Sequence, residues 1–404
     1  MSTTRRALIG LFVAGYGVAG TIVAFPMLTL LWHAETLSGR MFAVMILCGV
    51  ALPVALLIFL RARSRPRLRY GGIFITGALP LLILIALTVT APNGQALPDS
   101  NVQSIFIGDG SYARFSVFNL VPEIDQIKLG VILSPYFDSL MSREKANRVV
   151  NAVMPVYRDL EAQPEYHALG SVMNYAYADL YGGHFDVGHV YQFVPAHRQA
   201  TSVSPEEKLP VLLFLHGAAG GKKAYLWILQ KFAEKHRCIV VCPSFGFGRW
   251  RSGAVEAIER ARGYALHSLP GDPERVYLIG LSNGGLGVSR AAAAHPDHYA
   301  GLILLCSVLD KTKIHSDEFT AGWRGRSILC IGGADDNRVP QDYLKAEMNA
   351  LTEAGVKVTM RFYEGEDHFF IFTARERMYE DIGNWLSSLA ALSASVTAKA
   401  AFRR

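Results

Sequence analysis

The stretch Val276–Ala294 reads VYLIGLSNGGLGVSRAAAA, and its interpretation decides the fold. Val276–Gly280 is a short, continuous apolar run of the kind that forms a buried strand, and an alanine-rich helical segment, Leu286–Ala294, follows it. Between them lies Gly280-Leu281-Ser282-Asn283-Gly284-Gly285. Glycines on both sides of a serine, placed where strand turns into helix, let the backbone reverse sharply. The turn lifts the Ser282 hydroxyl above the sheet edge and sets the N–H of Asn283 at a helix N-terminus.

Working outward, the same alternation of strand and helix continues in both directions. Apolar runs lie at Pro210–Leu215, Cys238–Cys242, Leu302–Cys306, Ile328–Ile331 and Val358–Tyr363. Helical patterns at Lys222–Lys235, Val255–Leu269, Gln341–Ala354 and Arg375–Leu389 accompany them. This grammar predicts an α/β fold with a doubly wound, mostly parallel sheet.

A serine is a weak nucleophile until a general base takes its proton and an acid orients that base. The loop after Ile331, Gly332-Gly333-Ala334-Asp335-Asp336-Asn337-Arg338-Val339-Pro340, carries two adjacent carboxylates. The loop after Tyr363 carries Glu364-Gly365-Glu366-Asp367-His368. The order serine, aspartate, histidine, each at the carboxyl end of its own strand, makes Ser282 the candidate nucleophile and His368 the candidate base. Counting Gly-x-x-Asp from Gly332 gives Asp335 as the acid; counting from Gly333 gives Asp336. Asp367, adjacent to His368, is a weaker third choice. Upstream, Leu215-His216-Gly217-Ala218-Ala219-Gly220-Gly221 supplies small residues. Their N–H groups, that of Ala218 foremost, can meet a tetrahedral oxyanion together with that of Asn283. His216 precedes the acid in the chain and is read as structural.

At these four places the sequence resembles the α/β-hydrolase superfamily, over about residues 205–390. The elbow and the Asp-Asp loop ending in Val339-Pro340 look most like its prolyl-oligopeptidase, dienelactone-hydrolase and carboxylesterase branches. That resemblance implies acyl transfer through a Ser282 acyl-enzyme, and its spacing favours Asp335 over Asp336. It implies neither metal nor organic cofactor. Two departures stand out: Ala218-Ala219 replaces a more glycine-rich oxyanion loop, and no propeller domain is present.

The first 91 residues have another character. They hold eight arginines, no lysine and one acid (Glu35), a net of +7, whereas the whole chain of 404 residues carries +6. The remainder is therefore nearly neutral, which excludes an electrostatic footprint for nucleic acid. Ala7–Trp32, Met41–Leu60 and Gly71–Ala91 are free of Asp, Glu, Lys, Arg and His. Each has the roughly 20 residues a membrane-crossing helix needs. Ionisable groups, the usual mark of transport pathways, are missing from all three, so they read as an anchor. Arg5, Arg6 and the five arginines of Arg61–Arg69 place the N-terminus and the second link in the cytoplasm, and all that follows Ala91 outside.

The expected organisation is a three-helix anchor (1–91), an intervening α+β segment (92–205) forming either a lid or the first strands of the hydrolase sheet, a hydrolase domain (206–392) and a tail (393–404). Within the segment, strands are expected at Val102–Ile107, Tyr112–Phe118 and His189–Pro195. A helical region at Ser142–Leu180 is expected to kink at Pro155 and to split into two helices at Pro164. The expected partners are the lipid bilayer and a small-molecule or lipid acyl substrate. Gly182–His189 lacks zinc-motif spacing and reads as a polar loop. His295 and His298 read as solvated helix-end histidines. Cys238, Cys242, Cys306 and Cys330 read as core residues, with a Cys306–Cys330 pair as the one geometric alternative. Phe245–Trp250 either lines a substrate pocket or packs as an aromatic loop.

Overall fold

The structure, a computed structural model, describes residues 3–61, 70–72, 74–108, 117–180, 188–195 and 207–401. The chain forms two compact units, one from residues 1–93 with 113–154, the other from 94–112 with 155–404. The stretch 92–205, expected as a single intervening segment, is thus divided between them.

In the first unit, helices Thr3–His33 and Leu37–Arg61 are followed by a π-helical turn, Phe74–Ala78, and helix Leu79–Thr90. Three stretches are long and apolar enough to cross a membrane: Val13–His33, Leu37–Ile58 and Tyr70–Thr90. Most of the Arg-rich link, including Arg63, Arg65, Arg67 and Arg69, lies outside the described residues. A helix at Glu123–Leu133, which no sequence motif announces, belongs to the same unit. Its Asp125 accepts hydrogen bonds from the Glu35 N–H and the Thr36 hydroxyl, and Lys128 pairs with Glu35 at 2.5 Å. Gly39 is required here, because a Cβ would stand 2.3 Å from Asp125 Oδ2. The strand expected at Tyr112–Phe118 is not found in its described part. Val117–Leu120 forms a 3-10 turn instead, since Pro122 lacks a ladder donor and opens the next helix.

The second unit is built on one eight-stranded sheet. Its strands are β1 (Val102–Phe106), β2 (His189–Phe193), β3 (Leu209–Leu215), β4 (Ile239–Pro243), β5 (Gly271–Leu281), β6 (Gly301–Leu305), β7 (Ser327–Gly333) and β8 (Lys357–Tyr363). They lie in the order β1-β2-β4-β3-β5-β6-β7-β8. Only β2 runs antiparallel to its neighbours β1 and β4; the remaining pairs are parallel. The region before residue 206 therefore contributes the first two strands of the sheet.

The inner parallel strands are apolar on both faces, whereas the edge strand β8 turns Val358, Met360 and Phe362 to the core and leaves Lys357 and Arg361 exposed. Val211, Leu213, Val276, Leu278, Leu302 and Leu304 pack with Ala257, Ala261, Val288 and Ala291 of helices Ala254–His267 and Gly284–Ala294. The alternate residues Leu212, Phe214, Ile279 and Ile303 are equally buried. Helices Lys222–His236 and Arg375–Ala401 are joined by a hydrogen bond from the Tyr379 hydroxyl to the Ile228 carbonyl. This last helix runs to Ala401, through most of the expected tail. Helix Arg143–Glu161 continues through Pro155, and Pro164 starts a new helix as expected. Parallel strands of this kind end together, and β5 to β8 bring their carboxyl ends to one edge of the sheet. The crossover from β4 to β5 passes over β3, so the winding reverses beside β5, where open α/β sheets place their sites.

Candidate active site

The elbow is built by close approach. A Cβ on Gly284 would lie 2.1 Å from the Leu215 carbonyl oxygen, and one on Gly280 would lie 2.7 Å from Val288. Only glycines let helix Gly284–Ala294 start this near β3 and β5. Ser282 sits between them at φ 52°, a left-handed conformation that L-residues adopt at a cost. Its N–H donates to Leu305 O at 2.9 Å, and its carbonyl accepts from Gly285 and Val308. The strained turn is thus held from both neighbouring segments.

The histidine and the aspartate arrive from later strand ends. His368, on the loop after β8, has Nε2 3.0 Å from Ser282 Oγ and Nδ1 2.7 Å from Asp336 Oδ2. Asp336 is buried, and its Oδ1 accepts from the N–H groups of Arg338 (2.8 Å) and Val339 (3.0 Å), a turn that fixes the carboxylate. Asp335, the acid favoured by spacing, does not meet the histidine. Its backbone N–H donates to Glu366 O while its side chain is exposed. The reason is local. The strand-like bonding of β7 continues through Ala334 and Asp335, and only at Asp336 does the chain turn inward. Asp367 is also not the partner: its carboxylate accepts from Phe369 N.

Electrostatics follow from this geometry. Burial opposes charge on Asp336, but the His368 hydrogen bond and charge and the two N–H donors outweigh it and hold the carboxyl below its usual range. Burial likewise acts against a charged imidazole at His368; the Cys306 sulfur and the Asp336 carboxylate overcome it and raise the ring above its ordinary value.

The oxyanion loop lies beside the serine. A Cβ on Gly217 would be 3.1 Å from Ser282 Cβ. Ala218 is exposed, and neither its N–H nor that of Asn283 has a backbone carbonyl partner among the described residues. His216 is fully buried. Its Nε2 accepts from Phe245 N, while Trp250 Nε1 donates to its carbonyl, so its role is architectural. Of the aromatic loop, Phe245 and Trp250 are packed, stacked on each other at 4.9 Å. Residues 155–180 cover the oxyanion loop. Tyr157 reaches Gly221, Ala176 reaches Gly220, and Asp179 accepts from Phe247 N. Lys223 joins Glu161 at 2.6 Å and the Gly170 carbonyl at 2.9 Å.

Cys306 was missed as a site neighbour. It lies one residue past β6 at φ 37°, its Sγ 3.7 Å from the His368 carbonyl. The available signal was its position at the same strand-end level as Ser282. Donor atoms of Cys306, Asp336 and His368 lie within 4.8 Å of one another, a spacing a metal ion could bridge, although the Asp336–His368 hydrogen bond already engages two of them. Cys306 and Cys330 are free thiols, as are Cys48, Cys238 and Cys242. His298 meets Glu259 at 2.7 Å and stacks on His295. Residues 181–187 of the Gly182–His189 stretch lie outside the described residues, and His189 is a buried residue of β2.

The profile of the prolyl oligopeptidase family matches residues 248–328, which include the elbow and end before Asp336 and His368. Comparison with curated proteins gives no match. Among solved structures, a thermostable esterase shares 23% identity, with 50% of this chain and 58% of that one covered and a TM-score of 0.40. Thermogutta terrifontis esterase 2, phosphoramylated by tabun, shares 17% over 50% and 89%, TM-score 0.40. Est1E from Butyrivibrio proteoclasticus shares 17% over 50% and 94%, TM-score 0.40. The chain thus spans 58% of the length of the first of these. With a mostly parallel sheet in this strand order, and a glycine-walled serine elbow facing a histidine and a buried aspartate from later strand ends, the second unit has the α/β-hydrolase fold.

Proposed function

We propose that the chain is a membrane-anchored serine hydrolase that cleaves carboxylic esters, with Ser282 as nucleophile, His368 as base and Asp336 as the orienting acid. The observation that carries this reading is the continuous hydrogen-bonded run from Ser282 Oγ through His368 to Asp336. Ser282 Oγ attacks the ester carbonyl carbon as its proton passes to His368 Nε2. The N–H groups of Ala218 and Asn283 receive the oxyanion. Collapse expels the alcohol with the proton from His368, leaving an acyl-enzyme. Water, deprotonated by the same nitrogen, then releases the acid and restores Ser282. These residues complete the cycle without a cofactor. A peptidase is the second reading, favoured by the family match at residues 248–328.

The test is labelling by a fluorophosphonate probe, followed by rates on p-nitrophenyl esters of increasing chain length and on a prolyl p-nitroanilide. Ester turnover exceeding anilide turnover is the expected result. The reverse order makes the protein a peptidase, and absence of labelling removes the hydrolase reading altogether.

The three apolar helices are proposed as membrane spans, with the N-terminus and the Arg-rich link in the cytoplasm and the hydrolase domain outside. Its substrates would then be exported molecules, envelope lipids or incoming esters. Alkaline phosphatase, active only outside, is expected to be active when fused after residue 404 and silent when fused at Arg67. The opposite pattern would put the hydrolase in the cytoplasm.

A further inference from the structure

The first unit contains a cavity of about 380 Å³ between the His33 end of helix Thr3–His33 and residues 128–150. Phe25, Thr29 and His33 follow one another at intervals of four, so a single stripe of the helix lines it, grading from apolar to polar. Lys128, Tyr136 and Arg143 face that stripe. The Tyr136 ring meets Phe25 edge-on at 5.4 Å, and the Arg143 guanidinium stands 5.8 Å over the Tyr136 ring.

Depth along the helix gives these contacts meaning. Phe25 lies eight residues before His33, about 12 Å along the axis. The helix has 31 residues, about 46 Å, against the roughly 30 Å of hydrocarbon it would cross. Its surplus falls in the headgroup zones, so Tyr136 sits near the boundary between headgroups and acyl chains. The surrounding turn is built for that place: Tyr136 is 60% exposed, Phe137 75% and Leu140 43%. Amphipathic aromatics concentrate at this boundary, whereas in water the same patch would be a liability.

We propose that this cavity binds one anionic phospholipid of the bilayer, its phosphate between Lys128 and Arg143 and an acyl chain along Phe25, with residues 134–140 seated in the interface. The volume, within the roughly 300–1,000 Å³ of small-ligand pockets, suits a headgroup and glycerol while the acyl tails stay in the bilayer. Glu35 neutralises one of the two cations, leaving Arg143 to set the positive sign. A zwitterionic lipid would bring its own cation into a site that already has them. The proposal rests on the reading of Thr3–His33 as a span.

The test uses the full chain in nanodiscs of mixed phosphatidylglycerol and phosphatidylcholine, followed by native mass spectrometry of the lipid retained after release into detergent. One phosphatidylglycerol is expected to stay, in preference to phosphatidylcholine. Arg143→Gln, an exposed change that leaves the Lys128–Glu35 pair intact, is expected to cut retention about fivefold, the effect of one basic side chain at an anionic surface. Tyr136→Ser is expected to cut it as well, and both variants should keep wild-type ester turnover. Equal retention of the two lipids, or wild-type retention by Arg143→Gln, overturns the proposal. So does displacement by millimolar glycerol phosphate, which would mark a site for a soluble anion. Alkaline carbonate extraction separates the two readings: release of the chain from membranes defeats the span, whereas an embedded chain with unselective retention defeats only the lipid site.

Discussion

Ser282→Ala is expected to fold like the parent protein and to lose about 10⁴–10⁶ in kcat, together with all fluorophosphonate labelling. The fold survives because alanine keeps the Cβ that Ser282 already carries at φ 52°, adding no backbone strain. The activity does not, because His368 Nε2, 3.0 Å away, then has no hydroxyl to deprotonate. Turnover on the best p-nitrophenyl ester, with thermal unfolding as the control, is the measurement. Activity near that of the parent would remove Ser282 from the mechanism.

The adjacent aspartates give the second large effect. Asp336→Asn is expected to lower kcat by about 10⁴, because an amide in place of the carboxylate leaves the imidazole in the wrong tautomer. Asp335→Asn, at an exposed side chain away from the ring, is expected to stay within the small range of ordinary surface changes. The pH profile adds an independent sign. The base must be neutral to accept the serine proton, so the acidic limb of kcat/KM follows the His368 pKa. In the parent protein that pKa is raised above the ordinary 6.5, and activity falls as pH drops through the raised value. Without the Asp336 carboxylate, burial of the ring acts against less opposition and the limb of the residual activity moves to lower pH. A dead Asp335→Asn beside an active Asp336→Asn would reverse the assignment.

What the sequence made legible follows from where strong local constraints operate. Strands β3 to β7 contain continuous apolar runs because both faces are covered there, and the edge strand β8 still shows its apolar face through Val358, Met360 and Phe362; the polar start of β5, residues 272–275, was not legible. Ser282 and His368 were visible because a nucleophile elbow and a strand-end histidine have few other uses. Which carboxylate meets His368 was not legible, and spacing favoured Asp335 over its alternative Asp336, because the two are chemically identical. The choice depends on where the β7–β8 ladder lets go, which is a tertiary fact. Cys306 was hidden for a related reason: a thiol ending an apolar strand looks like core until the neighbouring loop brings the His368 carbonyl to it. Helix Glu123–Leu133 was not seen because its anchoring contacts, Asp125 and Lys128 to residues 35–36, join positions some ninety apart.

The cover formed by residues 155–180 is fastened by a buried ion pair. Lys223 is 1% exposed, and its ammonium is shared between Glu161 and the Gly170 carbonyl. Swinging that segment away would break both bonds of the ammonium, each charge-assisted bond being worth about 1.5–3 kcal/mol. At that combined cost an opened form makes up roughly one molecule in 10² to 10⁴. Such a cover is a fixed roof rather than a hinged flap. On the proposed ester substrates, turnover is then expected to rise hyperbolically with concentration, with no jump where the ester passes its critical micelle concentration.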